Sequence, residues 1–274
     1  MDDPIEKAVR RAIAAMHEKL GEQLTVDDMA RAAMFSKFHF TRVFQRATGV
    51  TPGRFLSALR LQRAKHLLVS TSLSVADISM RVGYNSVGTF SSRFTRSVGM
   101  PPTTYRRLSG YAPQIATDPD YRTGHPHNAR VQGRIWAPES HADSPVFLGL
   151  FQDRIPEGQP VRCTILARPG AYQLDCVPPG NWFLLAQSVN GDLDSDMDAG
   201  DEQAVCVATH GPLHMRGDGV AHADLDLQPA RAMDPPVLLA LLDQRKLALA
   251  RVAEERVGAV SSIGAAVTSG RSAA

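Results

Sequence analysis

The sequence predicts a multidomain α and β chain. An all-α domain of two helix-turn-helix units fills 5–108, a linker 109–130, an all-β sandwich 131–230 and a C-terminal helix 235–258. Three observations predict this. A segment recurs: Leu24, Val26 and Met29 return as Leu73, Val75 and Ile78 at an offset of 49, and Phe40, Phe44, Gly49 and Pro52 return as Phe90, Phe94, Gly99 and Pro102 at an offset of 50. Beyond residue 130 the hydrophobic period changes from helical to short β-rich runs. The charge also divides. Residues 1–110 hold 17 Lys and Arg against 8 Asp and Glu, a net of +9, and residues 111–274 hold 13 against 20, a net of −7. A basic half attracts polyanions and an acidic half does not.

The front half is read element by element. Ile5, Val9, Ile13, Met16 and Leu20 form one apolar stripe, and Gly21 stops that helix. Thr25 is an N-cap with Asp27 and Asp28 at the positive end of the next helix, whose buried stripe is Val26, Met29, Ala30 and Ala33. Ser36 caps a further helix with Phe40, Val43, Phe44 and Ala47 inward. The span 51–69 reads as one connecting helix with Pro52 in its first turn, Phe55, Leu59, Leu67 and Leu68 packing, and Arg60, Arg63 and Lys65 in water. In the second unit Ser74 caps a stripe of Val75, Ile78 and Val82, Ser79 lets the helices cross closely, Gly83 permits the turn, and a helix runs over 86–97. The two units cover about 25–46 and 74–97.

A short second helix with a polar outer face suits the major groove of duplex DNA. In the first unit that face holds Lys37, Phe38, Thr41, Arg42 and Gln45. Arg42 has the geometry to chelate guanine or meet a phosphate, and capped helix starts at Ser36 and Ser86 offer backbone N–H groups to phosphates. The stiff connecting helix would hold the two heads about one DNA turn apart, ~34 Å.

The run SKFHFTRVFQRATGVTPGRFLSALRLQRAKHLL, followed by SVADISMRVGYNSVGTFSSRFTRSVGMPPTTYRR, resembles the DNA-binding domain of the AraC/XylS family over roughly 8–108. The resemblance implies a cytoplasmic bacterial transcription regulator, most often an activator. It implies double-stranded DNA and RNA polymerase as partners and no cofactor, with a rear domain that binds a small-molecule effector or a partner, or forms a homodimer. It places Phe38, Thr41 and Arg42 of the first recognition helix, and Val87, Gly88, Ser91 and Ser92 of the second, against bases. With Ser36, Lys37, Gln45, Ser86 and Arg93 these make up the expected interface. Met34 stands where the family usually has a turn glycine, and Ser92 where it often has Arg, with Arg93 next door. The domain is N-terminal here, whereas most members carry it C-terminally. Val87 and Gly88 offer no hydrogen-bonding side chain, so the second helix is expected to read bases less strongly than the first.

In the rear half, the runs VQGRIWA, VFLGLF, VRCTILA, YQLDCV, NWFLLAQSV, AVCVAT and ADLDLQ read as strands between Gly, Pro and Asp turns. The pattern from Gly170-Ala171-Tyr172 through Pro178-Pro179-Gly180 into Asn181-Trp182 resembles prealbumin-like modules of the transthyretin or carboxypeptidase-regulatory type, which are binding or structural units. The acidic loop 190–203 lacks the glycine and glutamate of a calcium loop and reads as solvated. Cys206, His210, His214 and His222 share no helix face and do not read as a zinc site. Trp136 and Trp182 read as core. The terminal helix, with Leu238, Leu242, Leu249 and Val252 on one stripe, reads as packing on a domain or as a dimer contact. No stretch of about 18 apolar residues would span a membrane, and the acidic start lacks the regions of a signal peptide. No nucleophile motif is present, so no catalytic or metal residue is assigned and the chain reads as a non-enzyme. The competing reading is a DNA repair enzyme with Cys163, Cys176 or Cys206 as acceptor, but all three read as buried strand residues without basic neighbours.

Overall fold

A computed structural model describes residues 4–110, 129–189 and 205–238. Most of the expected linker, the loop 190–203 and the terminal helix from 239 onward lie outside the described residues.

Seven helices build the front half. The first, α1 (Pro4–Glu18), buries Val9, Ile13 and Met16. Thr25 then opens α2 (Val26–Ala33) with a reciprocal capping box: its hydroxyl accepts from the Asp28 N–H, and the Asp28 carboxylate accepts from the Thr25 N–H at 2.9 Å. The turn into α3 (Lys37–Thr48) passes through Met34, which takes the left-handed conformation at φ 61° and ψ 38° with its side chain 79% exposed. In the second unit α5 (Val75–Arg81) leads through Gly83, at φ +82°, into α6 (Val87–Val98). Met34 and Gly83 are equivalent by the 49-residue offset. The extra residue of the second turn is Asn85, whose side-chain oxygen accepts from Gln23 Nε2 at 2.8 Å and so ties the two units together.

The connecting helix α4 (Pro52–Ser70) is longer and more enclosed than its pattern suggests, burying Leu56, Ala58, Leu61 and Ala64 as well as the expected residues. Two of its cations do not stay in water. Arg60 donates from Nε to the Leu20 carbonyl at 3.0 Å and from Nη2 to that of Glu22 at 2.6 Å. Lys65 lies 6.0 Å from the Tyr105 ring centroid and 3.5 Å from the Val237 carbonyl, and burial lowers its pKa to about 8. Only Arg63 of the three is exposed. A last short helix, α7 (Pro102–Arg107), buries Tyr105, while Arg106 Nε donates to the Leu68 carbonyl at 3.0 Å and holds α7 to the end of α4.

The rear half is two sheets over one core. One has the order β4 (Ala171–Leu174), β1 (Arg130–Trp136), β7 (Val220–His222), with β8 (Leu225–Asp226) also on β1. The other runs β3 (Arg162–Leu166), β2 (Val146–Phe151), β5 (Gly180–Val189), β6 (Val205–Met215), β9 (Gln228–Pro229). Val131, Ile135 and Leu174 from the first meet Val146, Leu148, Leu150, Leu184 and Ala186 from the second. The run VFLGLF is apolar throughout because β2 is covered on both sides: Phe147 and Phe151 form a separate cluster with Leu185, against which Val237 packs. Three expectations are corrected. The β6 strand continues through Gly211-Pro212, with an irregularity of register opposite Trp182 and Leu184, where a turn was expected. Trp182 is core, its Nε1 donating to the Pro178 carbonyl at 2.9 Å, but Trp136 is 48% exposed. Residues 235–238 are not helical, although Leu238 is buried with Met233 and Ile155 in the helical domain's own cluster.

Candidate nucleic-acid interface

The α3 helix owes its shape to its two faces. Phe40, Val43 and Phe44 are buried, and the rings of Phe40, Phe44 and Phe55 pack in series with centroids 5.4 Å apart, the first pair tilted and the second edge to face. That anchor leaves Lys37, Phe38, Arg42 and Gln45 exposed and Thr41 half-buried, lining one shallow concavity together with Arg46. Phe38 is 88% exposed, a large apolar ring facing water with nothing packed over it. Arg42, Gln45 and Arg46 make no side-chain hydrogen bond or ion pair among the described residues. Lys37 Nζ pairs with Asp27 at 2.8 Å, both exposed. Such a pair is worth about 0–1 kcal/mol and exchanges easily for a phosphate. Ser36 is extended at the helix start and its side chain caps nothing, so its hydroxyl is unspent. Sequence reasoning missed Arg46, although the repeat carried the signal: Arg46 recurs as Arg96 at the offset of 50, one turn beyond Arg42.

The α6 helix is built alike and equipped differently. Ser86 accepts from the Thr89 N–H at 3.3 Å, and Phe90 and Phe94 are buried. Val87, Gly88 and Ser92 are exposed and Ser91 is half-buried. The free face carries short side chains and, at these positions, no cation. Arg93 occupies the helix position that Val43 holds in α3, where the side chain is buried. It turns toward Glu157 of the rear domain, its Nη2 3.8 Å from the carboxylate.

Burial opposes a nucleophilic role for two of the three cysteines. Burial pushes the Cys163 thiol up to about 11 and also raises that of Cys206, the reverse of what a thiolate acceptor needs. Contrary to expectation Cys176 is exposed, with a left-handed φ of 56°, and Cys163 is half-buried. His214 Nδ1 lies 2.6 Å from Asn181 Oδ1, and His222 lies 3.4 Å from Gln132. Among the described residues no group of three or more His, Cys, Asp or Glu is placed to hold a metal, and no helix is long and apolar enough to cross a membrane.

A family model described as a helix-turn-helix domain matches residues 29–108. The uncharacterized HTH-type transcriptional regulator YbfP of Bacillus subtilis is 34% identical over 101 residues, 37% of this chain and 34% of that protein. The HTH-type transcriptional activator AarP of Providencia stuartii is 31% identical over 101 residues, 36% of this chain and 75% of that protein. Among solved structures, the DNA-binding domain of AdpA in complex with a target DNA is 32% identical, and the likeness covers 39% of this chain and 93% of that one at a TM-score of 0.35. The chain spans about a third of the length of the first curated relatives it matches.

Proposed function

Because the chain belongs to the AraC-type helix-turn-helix transcription regulators, we propose that its front domain binds double-stranded DNA sequence-specifically, with α3 and α6 in successive major-groove segments, and that the whole protein acts as a transcription activator meeting RNA polymerase. The observation that carries this reading is the outer face of α3, unpaired among the described residues: Arg42, Gln45 and Arg46 beside an exposed Phe38, on a helix fixed from behind by three packed rings. Lys37, Thr41 and the helix start at Ser36 add phosphate and backbone contacts. On α6, Ser86, Val87, Gly88, Ser91 and Ser92 read mostly shape and methyl groups, so the first head dominates base choice. The rear domain, a prealbumin-like module, takes a small-molecule effector or a second copy of the chain. A chain that binds the chromosome of a bacterium works in the cytoplasm.

The test is selection of bound duplexes from random sequence by the full chain, followed by Arg42→Ala. Binding falls steeply with salt. The substitution costs about 1–3 kcal/mol and relaxes one base preference. If Arg42→Ala binds the selected site as tightly and as selectively as the parent, the assignment of α3 as the reading helix is wrong.

A further inference from the structure

The turn between β2 and β3, residues 152–161, is polar and rich in Pro and Gly, and its sequence marks it only as a surface loop. It is docked on the helical domain instead. Ile155 is buried in the helical core. Arg54, in the first turn of α4, donates from Nη1 to Asp153 at 2.7 Å and from Nη2 to Glu157 at 2.8 Å. Glu157 Oε2 accepts from Ser97 Oγ at 2.6 Å and faces Arg93 at 3.8 Å. The Gly158 N–H donates to the Ser97 carbonyl at 2.9 Å. That carbonyl lies in the last turn of α6, where helical C=O groups have no partner within the helix.

The repeat shows why this matters. In the first unit α3 packs on α1 as well as α2, with Val43 buried among the same cluster as Val9 and Ile13 of α1. In the second unit, among the described residues, α6 packs mainly on α5 and α7. At the position equivalent to Val43 stands Arg93, and what it faces is Glu157. We infer that Glu157 is a positioning residue for DNA reading: the rear domain supplies, through this one loop, the support that α1 gives to α3, locking α6 to the start of α4 by a single carboxylate bonded to Arg54 and Ser97 and facing Arg93. The inference rests on the DNA-reading proposal above. It makes the rear domain part of the second reading head, and gives any occupant of that domain a direct route to it.

The experiment is site selection and affinity measurement with the full chain carrying Glu157→Gln, with Asp153→Asn as the contrast. A neutral amide weakens the bonds to Arg54 and Arg93 while keeping side-chain size, and the far-UV helical signal reports that the fold persists. Glu157→Gln is expected to flatten base preference in the half of the site read by α6, leave intact the half read by α3, including the base preference that Arg42→Ala relaxes, and weaken binding about five- to tenfold. Asp153→Asn, which leaves Glu157 in place, is expected to keep both halves. In Arg93→Gln the effect of Glu157→Gln shrinks, because the two share one of the contacts through which Glu157 acts. A wild-type chain that binds no duplex in a salt-sensitive way overturns the DNA-reading proposal itself. A wild-type chain that binds, with Glu157→Gln preserving both halves or degrading both equally, overturns the positioning role alone.

Discussion

Met34 and Gly83 sit at equivalent points of the two turns, both left-handed, and exchanging their residue types is expected to move stability in opposite directions. At Met34 an L-residue holds φ 61° with its side chain 79% exposed. The backbone conformation costs roughly 1–2 kcal/mol and the side chain gives little packing in return. Glycine removes that strain but adds about 0.5–1 kcal/mol of chain entropy to be lost on folding. Met34→Gly is therefore expected to stabilise by about 0.5–1 kcal/mol. At Gly83 the same φ region is filled from outside: a Cβ would lie 2.6 Å from Arg60 Nη2 and 2.8 Å from the Leu20 carbonyl. Gly83→Ala would incur the left-handed strain and would also push on the Arg60 guanidinium, whose two bonds join α4 to the loop before α2. Hydrogen bonds from a charged donor are worth about 1.5–3 kcal/mol each, so the net loss is expected to be roughly 2–4 kcal/mol. Urea unfolding of the full chain, followed by the helical far-UV signal, measures both. A loss below about 1 kcal/mol for Gly83→Ala, or a destabilising Met34→Gly, would refute the argument that Arg60 and its two carbonyls crowd the second turn and leave the first one open.

Two further outcomes are expected. The unfolded chain keeps the Lys65 proton up to about 10.5 and the folded chain only to about 8, so the folded state gains stability as pH rises through that window. Lys65→Met should remove this rise and stabilise at neutral pH by at most about 3 kcal/mol, read as the difference between parent and variant unfolding curves across pH; an unchanged pH slope would place the ammonium in water. A thiol reagent applied to the native chain at neutral pH should label Cys176 first, with Cys163 and Cys206 reacting on denaturation, as mass mapping of the labelled peptides would report; rapid native labelling of Cys206 would contradict its burial.

The parts that sequence reasoning recovered are those set by short-range chemistry. Thr25, Ser74 and Ser86 cap because a hydroxyl reaches the N–H three residues on, and the recurring Phe pairs land inward because four residues make about one turn. The misreadings come from contacts distant in sequence. Arg60 and Lys65 look wet in a local window, yet their partners are Leu20 and Glu22 behind them and Tyr105 and Val237 far ahead. The β7 strand, three residues long, is defined by parallel pairing with β1, 90 residues earlier at Gln132 and His222, and such a strand leaves no alternating pattern to find. Arg93 could be placed on the outer face only while the helix was considered alone. The repeat already held the correction, since its counterpart is Val43.

Salt separates two kinds of charged group in this protein. Lys37, Arg42 and Arg46 are exposed, and their attraction to a polyanion is screened within about a Debye length, ~8 Å at physiological ionic strength. Glu157 is different: its side chain is 18% exposed, it is bonded to Arg54 and Ser97, and the adjoining loop is fixed by the buried Ile155. A part-buried, hydrogen-bonded carboxylate is screened far less. Rising salt is therefore expected to screen Lys37, Arg42 and Arg46 more strongly than the link of Glu157 to Arg54 and Ser97.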